Sequence, residues 1–156
     1  MIRYQMNVGT MTPMPRRPTT TPIGLHLTRT ARLATNAFER AMADAGGSAA
    51  AFQVLVLVRS GEWNTQAGMA EAMGITGATL THHLGTLEAR GLVRRWREQS
   101  NRRVQRVELT AEGAALFDRL RHVAMRHDER LRAQLTVAET KQLATLLDKV
   151  EASLRT

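Results

Sequence analysis

Residues 65–110 read TQAGMAEAMGITGATLTHHLGTLEARGLVRRWREQSNRRVQRVELT, and this stretch decides the fold. Ala67, Ala70 and Met73 recur at helical spacing, and Met73-Gly74-Ile75 ends that helix with a glycine where a left-handed cap is expected. Thr76 is placed to N-cap a second helix, which turns Leu80, Leu84 and Leu87 toward a core and is closed by Gly91. The outer face of this second helix carries Gly77, Thr79, Thr81, His82 and Thr86, with no carboxylate before Glu88. Short helix, tight turn and second helix with a polar outer face make a helix-turn-helix pattern, whose second helix fits a DNA major groove.

A basic β-hairpin is expected next. Leu92 to Arg97 and Arg102 to Leu109 flank the polar turn Glu98-Gln99-Ser100-Asn101. The period of two puts Gln105, Val107 and Leu109 on one face of the second strand, with Arg106 and Glu108 on the other. Between residues 90 and 106 the basic side chains are Arg90, Arg94, Arg95, Arg97, Arg102, Arg103 and Arg106, against the acid Glu98. Such a run is often a solvated face. Directly after a helix-turn-helix, phosphate contact is the expectation.

These residues resemble the winged helix of the multiple-antibiotic-resistance regulator (MarR) family of bacterial transcription factors. The match lies in Thr65-Gln66, Ala70, Gly74-Ile75-Thr76, Ala78-Thr79-Leu80-Thr81, Leu87-Glu88, Gly91-Leu92-Val93, Arg95, Arg102-Arg103, and Leu109-Thr110 with Gly113. The resemblance extends over roughly residues 23–154. It implies a mainly α fold with a small β wing, a winged helix-turn-helix domain plus a helical dimerisation region. It also implies that Thr79, Thr81 and His82 touch base edges, that Gln66, Thr76, Thr86 and Arg95 fix position on phosphates, and that Arg103, beside Arg102, enters the minor groove. The family's wing carries an Asp-x-Arg element, and here Asn101 stands where the Asp would be. An Asn accepts a hydrogen bond but brings no charge, so a looser wing is expected. Gly68 also departs from the family, at a cost of ~1 kcal/mol in helix propensity relative to Ala. With no Arg or Lys on the outer face of the second helix, shape readout at the wings is expected to outweigh direct readout, and Arg103→Ala to cost more affinity than His82→Ala.

Outside this stretch the chain divides into an N-terminal tail (1–21), a helical region (22–47 and 111–156) and the winged domain (48–110). The tail is rich in Pro and Thr and lacks periodicity. It is read as disordered or as the product of an over-extended start, with Met6, Met11 or Met14 as the true one. The alternative is a tail that wraps a partner subunit or meets DNA through Arg16 and Arg17. A first helix is expected from Pro22, in its first turn, to Gly46-Gly47, with Ile23, Leu27, Ala31, Ala34, Phe38, Ala41 and Met42 on one stripe. Ser48 is placed to cap a helix through Arg59, although the β-branched run within it reads as a buried strand by propensity alone. The resemblance adds a very short strand at Gly61-Glu62-Trp63-Asn64. A long helix follows Thr110, carrying Leu116, Leu120, Val123, Leu131 and Leu135, and Thr136-Val137-Ala138-Glu139 is a capping box before a last helix with Leu143, Leu146, Leu147, Val150 and Leu154. The terminal helices carry more apolar surface than a small winged domain covers, so a homodimer is expected. Two recognition helices about a two-fold axis would then read half-sites about 10 base pairs apart in an imperfect palindrome of double-stranded DNA.

The 156 residues hold 22 Lys and Arg against 14 Asp and Glu, for a formal charge of +8, and only Lys141 and Lys149 are lysines. Arginine suits bidentate phosphate and base contacts, and the bias equally fits a GC-rich genome. No apolar run approaches the ~20 residues of a membrane span, so no membrane partner is expected. Cysteine is absent, which excludes disulfides and thiolate metal sites. A signal-peptide pattern is missing, making the cytoplasm the expected location. P-loop, Gly-x-Gly-x-x-Gly, Gly-x-Ser-x-Gly and His-Glu-x-x-His motifs are all missing, so neither an enzyme nor a cofactor is expected. His82 and His83 diverge by ~100° on a helix and cannot share one ion, and His122 and His127 also miss chelating spacing, so no metal site is expected. Protonated, His82 would add a charge facing phosphate and firm binding at lower pH. The resemblance implies an effector pocket between the first helices, the long helix after the hairpin and the winged domain. His26, Phe52, Gln53, Trp63 and His122 are its candidate lining, and a small aromatic or phenolic molecule its ligand. A solvent-facing or hydrogen-bonded histidine is the plain alternative for His26. The functional reading is a regulator, most often a repressor in this family; the alternative is an architectural or protein-contact winged helix with no specific operator or ligand.

Overall fold

Hydroxyl side chains start every described helix but the first. Ser48, Thr65, Thr76, Thr110 and Thr136 each accept a hydrogen bond from the backbone N–H three residues on, at 3.0–3.2 Å. The computed structural model describes residues 21–63, 65–97 and 105–155. Its elements are α1 (Ile23–Asp44), α2 (Ala49–Ser60), α3 (Gln66–Met73), α4 (Gly77–Ala89), β1 (Val93–Arg97), β2 (Gln105–Leu109), α5 (Ala111–Arg132) and α6 (Val137–Leu154). The expected tail, Asn64, the hairpin turn and its Asn101, Arg102 and Arg103 lie outside the described residues, apart from Thr21 of the tail.

Residues 49–60 form a helix despite their β-branched run. Val54 and Leu55 are fully buried while Leu57 and Val58 are half-buried, so apolar residues are needed around most of the circumference. α1 begins one residue later than expected. Pro22 is its N-cap rather than part of its first turn, and its carbonyl accepts from His26 N–H at 3.1 Å. In α3 the buried side chains are Met69 and Ala70, whereas Ala67 is exposed, so its core face is turned from the expected one. Thr136 and Glu139 close the expected capping box reciprocally.

The core gathers Met42, Val54, Leu55, Met69, Ala70, Leu80, Leu84, Leu87, Leu92, Val93, Leu116, Leu120 and Val123. α1, α2 and α5 thus pack over the helix-turn-helix, and β1 and β2 form an antiparallel pair with Val93 opposite Leu109, Arg95 opposite Val107 and Trp96 opposite Arg106. The expected short strand near Trp63 is absent among the described residues. The chain leaves α2 through Gly61 at φ 66°, and the Trp63 ring folds onto α3, where a Cβ on Gly68 would lie 3.1 Å from it. This contact also accounts for the glycine that helix propensity disfavours. α6 buries nothing within the chain, and Ile23, Leu33, Leu143, Leu146, Leu147 and Leu154 are exposed. No single described helix is long and apolar enough to cross a membrane.

Candidate nucleic-acid interface

The turn between α3 and α4 is fixed at both ends. Gly74 takes the left-handed conformation at φ 64°, and Ile75 N–H returns to the Ala70 carbonyl at 3.0 Å. Thr76 then caps α4, and Leu80, Leu84 and Leu87 seat that helix in the core. The opposite face is solvent-exposed at Gly77, Thr79, Thr81, His82 and Thr86. Those expected contact residues therefore share one surface of one helix. Gln66 stands at the first position of α3, half-buried and already engaged within the chain.

Arg95 is placed differently from a phosphate contact. Its Nε donates to Glu88 Oε2 at 2.8 Å and a terminal nitrogen bonds the same oxygen, with 19% of its side chain exposed. The Arg95 bonds hold the Glu88 carboxyl below its ordinary value. The pair ties β1 to the last turn of α4 and neutralises the acid of that helix. Arg94 bonds Glu108 across the hairpin and lies 5.4 Å from the Trp96 ring centroid. Arg90, at the C-cap of α4, donates to the Gly46 carbonyl at 2.8 Å and so joins the recognition helix to the α1–α2 loop. These three arginines of the basic run thus have partners inside the fold. Their charge was legible in the sequence, but their partners lie 7, 14 and 44 positions away and left no local pattern.

The base of the hairpin is also pinned. Thr110 Oγ1 donates to the Gly91 carbonyl at 2.7 Å, Thr110 N–H donates to Leu92 O at 3.1 Å, and a Cβ on Gly113 would lie 1.8 Å from that same oxygen. Only glycine lets the first turn of α5 come this close.

Among the described residues, the five expected pocket residues are not gathered in one of the clefts found. Phe52 and Gln53 border an open groove of about 210 Å³ with Val56, Leu57, Ala72 and Met73. Trp63 belongs to a smaller cleft with Leu57, Val58, Thr65, Met69 and Val107. His26 sits beside Arg29, Thr30 and Leu33 on α1, and His122 is exposed on α5. The histidine in aromatic contact with α1 is His127, whose ring centroid lies 5.1 Å from that of Phe38.

Residues 48–104 match the sequence model of the MarR family. Among solved structures, the chain is similar to a mutant MarR from E. coli complexed with operator DNA, with 25% identity, 83% of this chain and 93% of that chain covered, and a TM-score of 0.72. It is similar to the transcriptional repressor CouR bound to a 23-mer DNA duplex, with 29% identity, 83% and 92% covered and a TM-score of 0.73. CouR from Rhodococcus jostii RHA1 bound to p-coumaroyl-CoA matches with 27% identity, 82% and 90% covered and a TM-score of 0.67.

Proposed function

From a chain that carries a MarR-family winged helix, we propose a homodimeric, sequence-specific DNA-binding transcriptional regulator, a repressor relieved by a small aromatic or phenolic effector. The observation that carries this reading is the surface of α4. Apart from His82 its exposed residues are small or hydroxylic, and its carboxylate Glu88 is paired with Arg95, so no unpaired carboxylate on that face repels a phosphate backbone. The N-terminal turn of the helix adds unpaired N–H groups to the same surface. Gln66 and Thr76 are assigned to phosphates, Thr79, Thr81 and His82 to bases, and Arg102 and Arg103 to the wing's groove contact; Thr86, expected on a phosphate, is exposed on the face of His82 and is assigned to bases as well. Arg95 is assigned to holding the wing against α4 rather than to phosphate.

The dimer reading is supported by the leucines of α1 and α6 that one chain leaves uncovered. The operator would be an imperfect palindrome with half-sites one helical turn apart. The effector reading is supported by CouR, which was solved both on DNA and with a CoA thioester. A ligand acting here must bind one spacing of the two recognition helices more tightly than the other, since differential affinity is all that shifts the equilibrium. The groove at Phe52 and Gln53 is its proposed foothold, completed by walls from other elements. Binding of the protein to its own upstream DNA across a salt series, with scrambled DNA as control, tests the whole. Tight binding confined to the upstream fragment, with a steep negative salt slope, is expected. Equal, weak binding to both fragments would favour an architectural module.

A further inference from the structure

The hydroxyls of α4 are oriented by their own backbone. Thr81 Oγ1 donates to the Gly77 carbonyl at 2.8 Å and Thr86 Oγ1 to the His82 carbonyl at 3.1 Å. The hydroxyls of Thr76 and Thr79 lie 2.9 Å apart, which commits one hydrogen between them. A hydroxyl has one hydrogen and two lone pairs. With the hydrogen spent on a carbonyl, Thr81 and Thr86 face outward as acceptors beside a methyl group. Between Gly77 and Ala89 the sequence has no Arg, Lys, Asn or Gln. The ring of the exposed His82 is a donor that α4 offers at the centre of this face. Thr81 and Thr86, five residues apart, flank it ~140° from each other around the helix axis.

In the major groove adenine and cytosine both show an amino donor that a hydroxyl can accept from, but only an A·T pair adds the thymine methyl beside it, and guanine shows two acceptors that call for a donor such as Arg or Lys. We propose that Thr81 and Thr86 act as acceptor-and-methyl probes that select A·T pairs at two positions of each half-site. His82 supplies the hydrogen bond to one acceptor between them. This rests on the DNA-binding reading and adds to it the class of base pair recognised. Reading of guanine by a bidentate arginine is not open to this helix.

The test begins with enrichment of duplexes from a random-sequence pool by the full-length protein. In the best duplex, each thymine is then replaced by uracil, which removes only the 5-methyl group. At one or two positions per half-site the replacement is expected to weaken binding about fourfold, the worth of one buried methyl. Thr81→Ser and Thr86→Ser keep the acceptor and lose the methyl, so each should weaken binding to the thymine duplex and abolish the uracil effect at its own position. Thr81→Val and Thr86→Val keep the methyl, so the uracil effect should persist while adenine discrimination falls. Both residues are exposed, and a thermal melt confirms that each variant is folded. An enriched site in which uracil is tolerated everywhere, or in which G·C pairs occupy the contacted positions, overturns the inference and leaves the regulator reading standing. Failure to enrich any duplex overturns the regulator reading itself.

Discussion

At the scale of single residues, backbone proximity and charge pairing make separate demands. Gly113 lies against the Leu92 carbonyl so closely that a Cβ would overlap it, and the atom met is backbone, which cannot rotate away. Gly113→Ala is expected to destabilise the fold on the order of 3 kcal/mol, read from the urea midpoint at unchanged slope. Gly85 is the opposite case. A Cβ there meets nothing within 4 Å, so Gly85→Ala should stabilise the fold by about 1 kcal/mol in the same measurement. Glu88 brings a pH dependence. Its folded pKa is lowered from the ordinary 4.5, chiefly by the Arg95 hydrogen bond, so the pair stabilises fully above that value and the benefit is lost as pH falls through the folded pKa. The stability gap between the native protein and Glu88→Gln should be constant near neutrality and close in acid; a gap that is flat down to pH 3 would remove the pair from the account.

At the scale of elements, the wing is an appendage of the recognition helix. Arg95 joins β1 to Glu88, so Arg95→Ala should weaken DNA binding while leaving the salt slope nearly unchanged, because no phosphate contact is lost. A slope reduced by about one would return Arg95 to the phosphates. The same scale shows what the sequence made legible. Ser48, Thr76, Gly74 and the Thr136 capping box signal their helix ends locally, and each end falls where its residue announces it. Leu80, Leu84 and Leu87 likewise identify the buried side of α4 by spacing alone. What spacing does not carry is contact between elements. The basic run gave no sign that Arg90 reaches Gly46 or that Arg94 reaches Glu108, and family likeness suggested a strand where Trp63 instead covers Gly68. The expected pocket residues share a neighbourhood of elements, but side-chain direction places Phe52 with Gln53, Trp63 and His26 in separate clefts.

At the scale of the whole molecule, one chain is an incomplete solvent boundary. Leu33 of α1 is 70% exposed and Leu147 of α6 is 44% exposed, on helices whose polar faces are well furnished. Leu147→Glu is expected to shift the protein toward monomer in sedimentation and to cost operator affinity through the lost second half-site. A variant that stays dimeric would move the interface elsewhere. α6, with no residue buried in its own chain, has a further bearing on the protein's life in a cell. If the proposed dimer covers α6, an unaccompanied copy would present that helix to proteases and a paired copy would shelter it, so degradation would be fastest when copies are few.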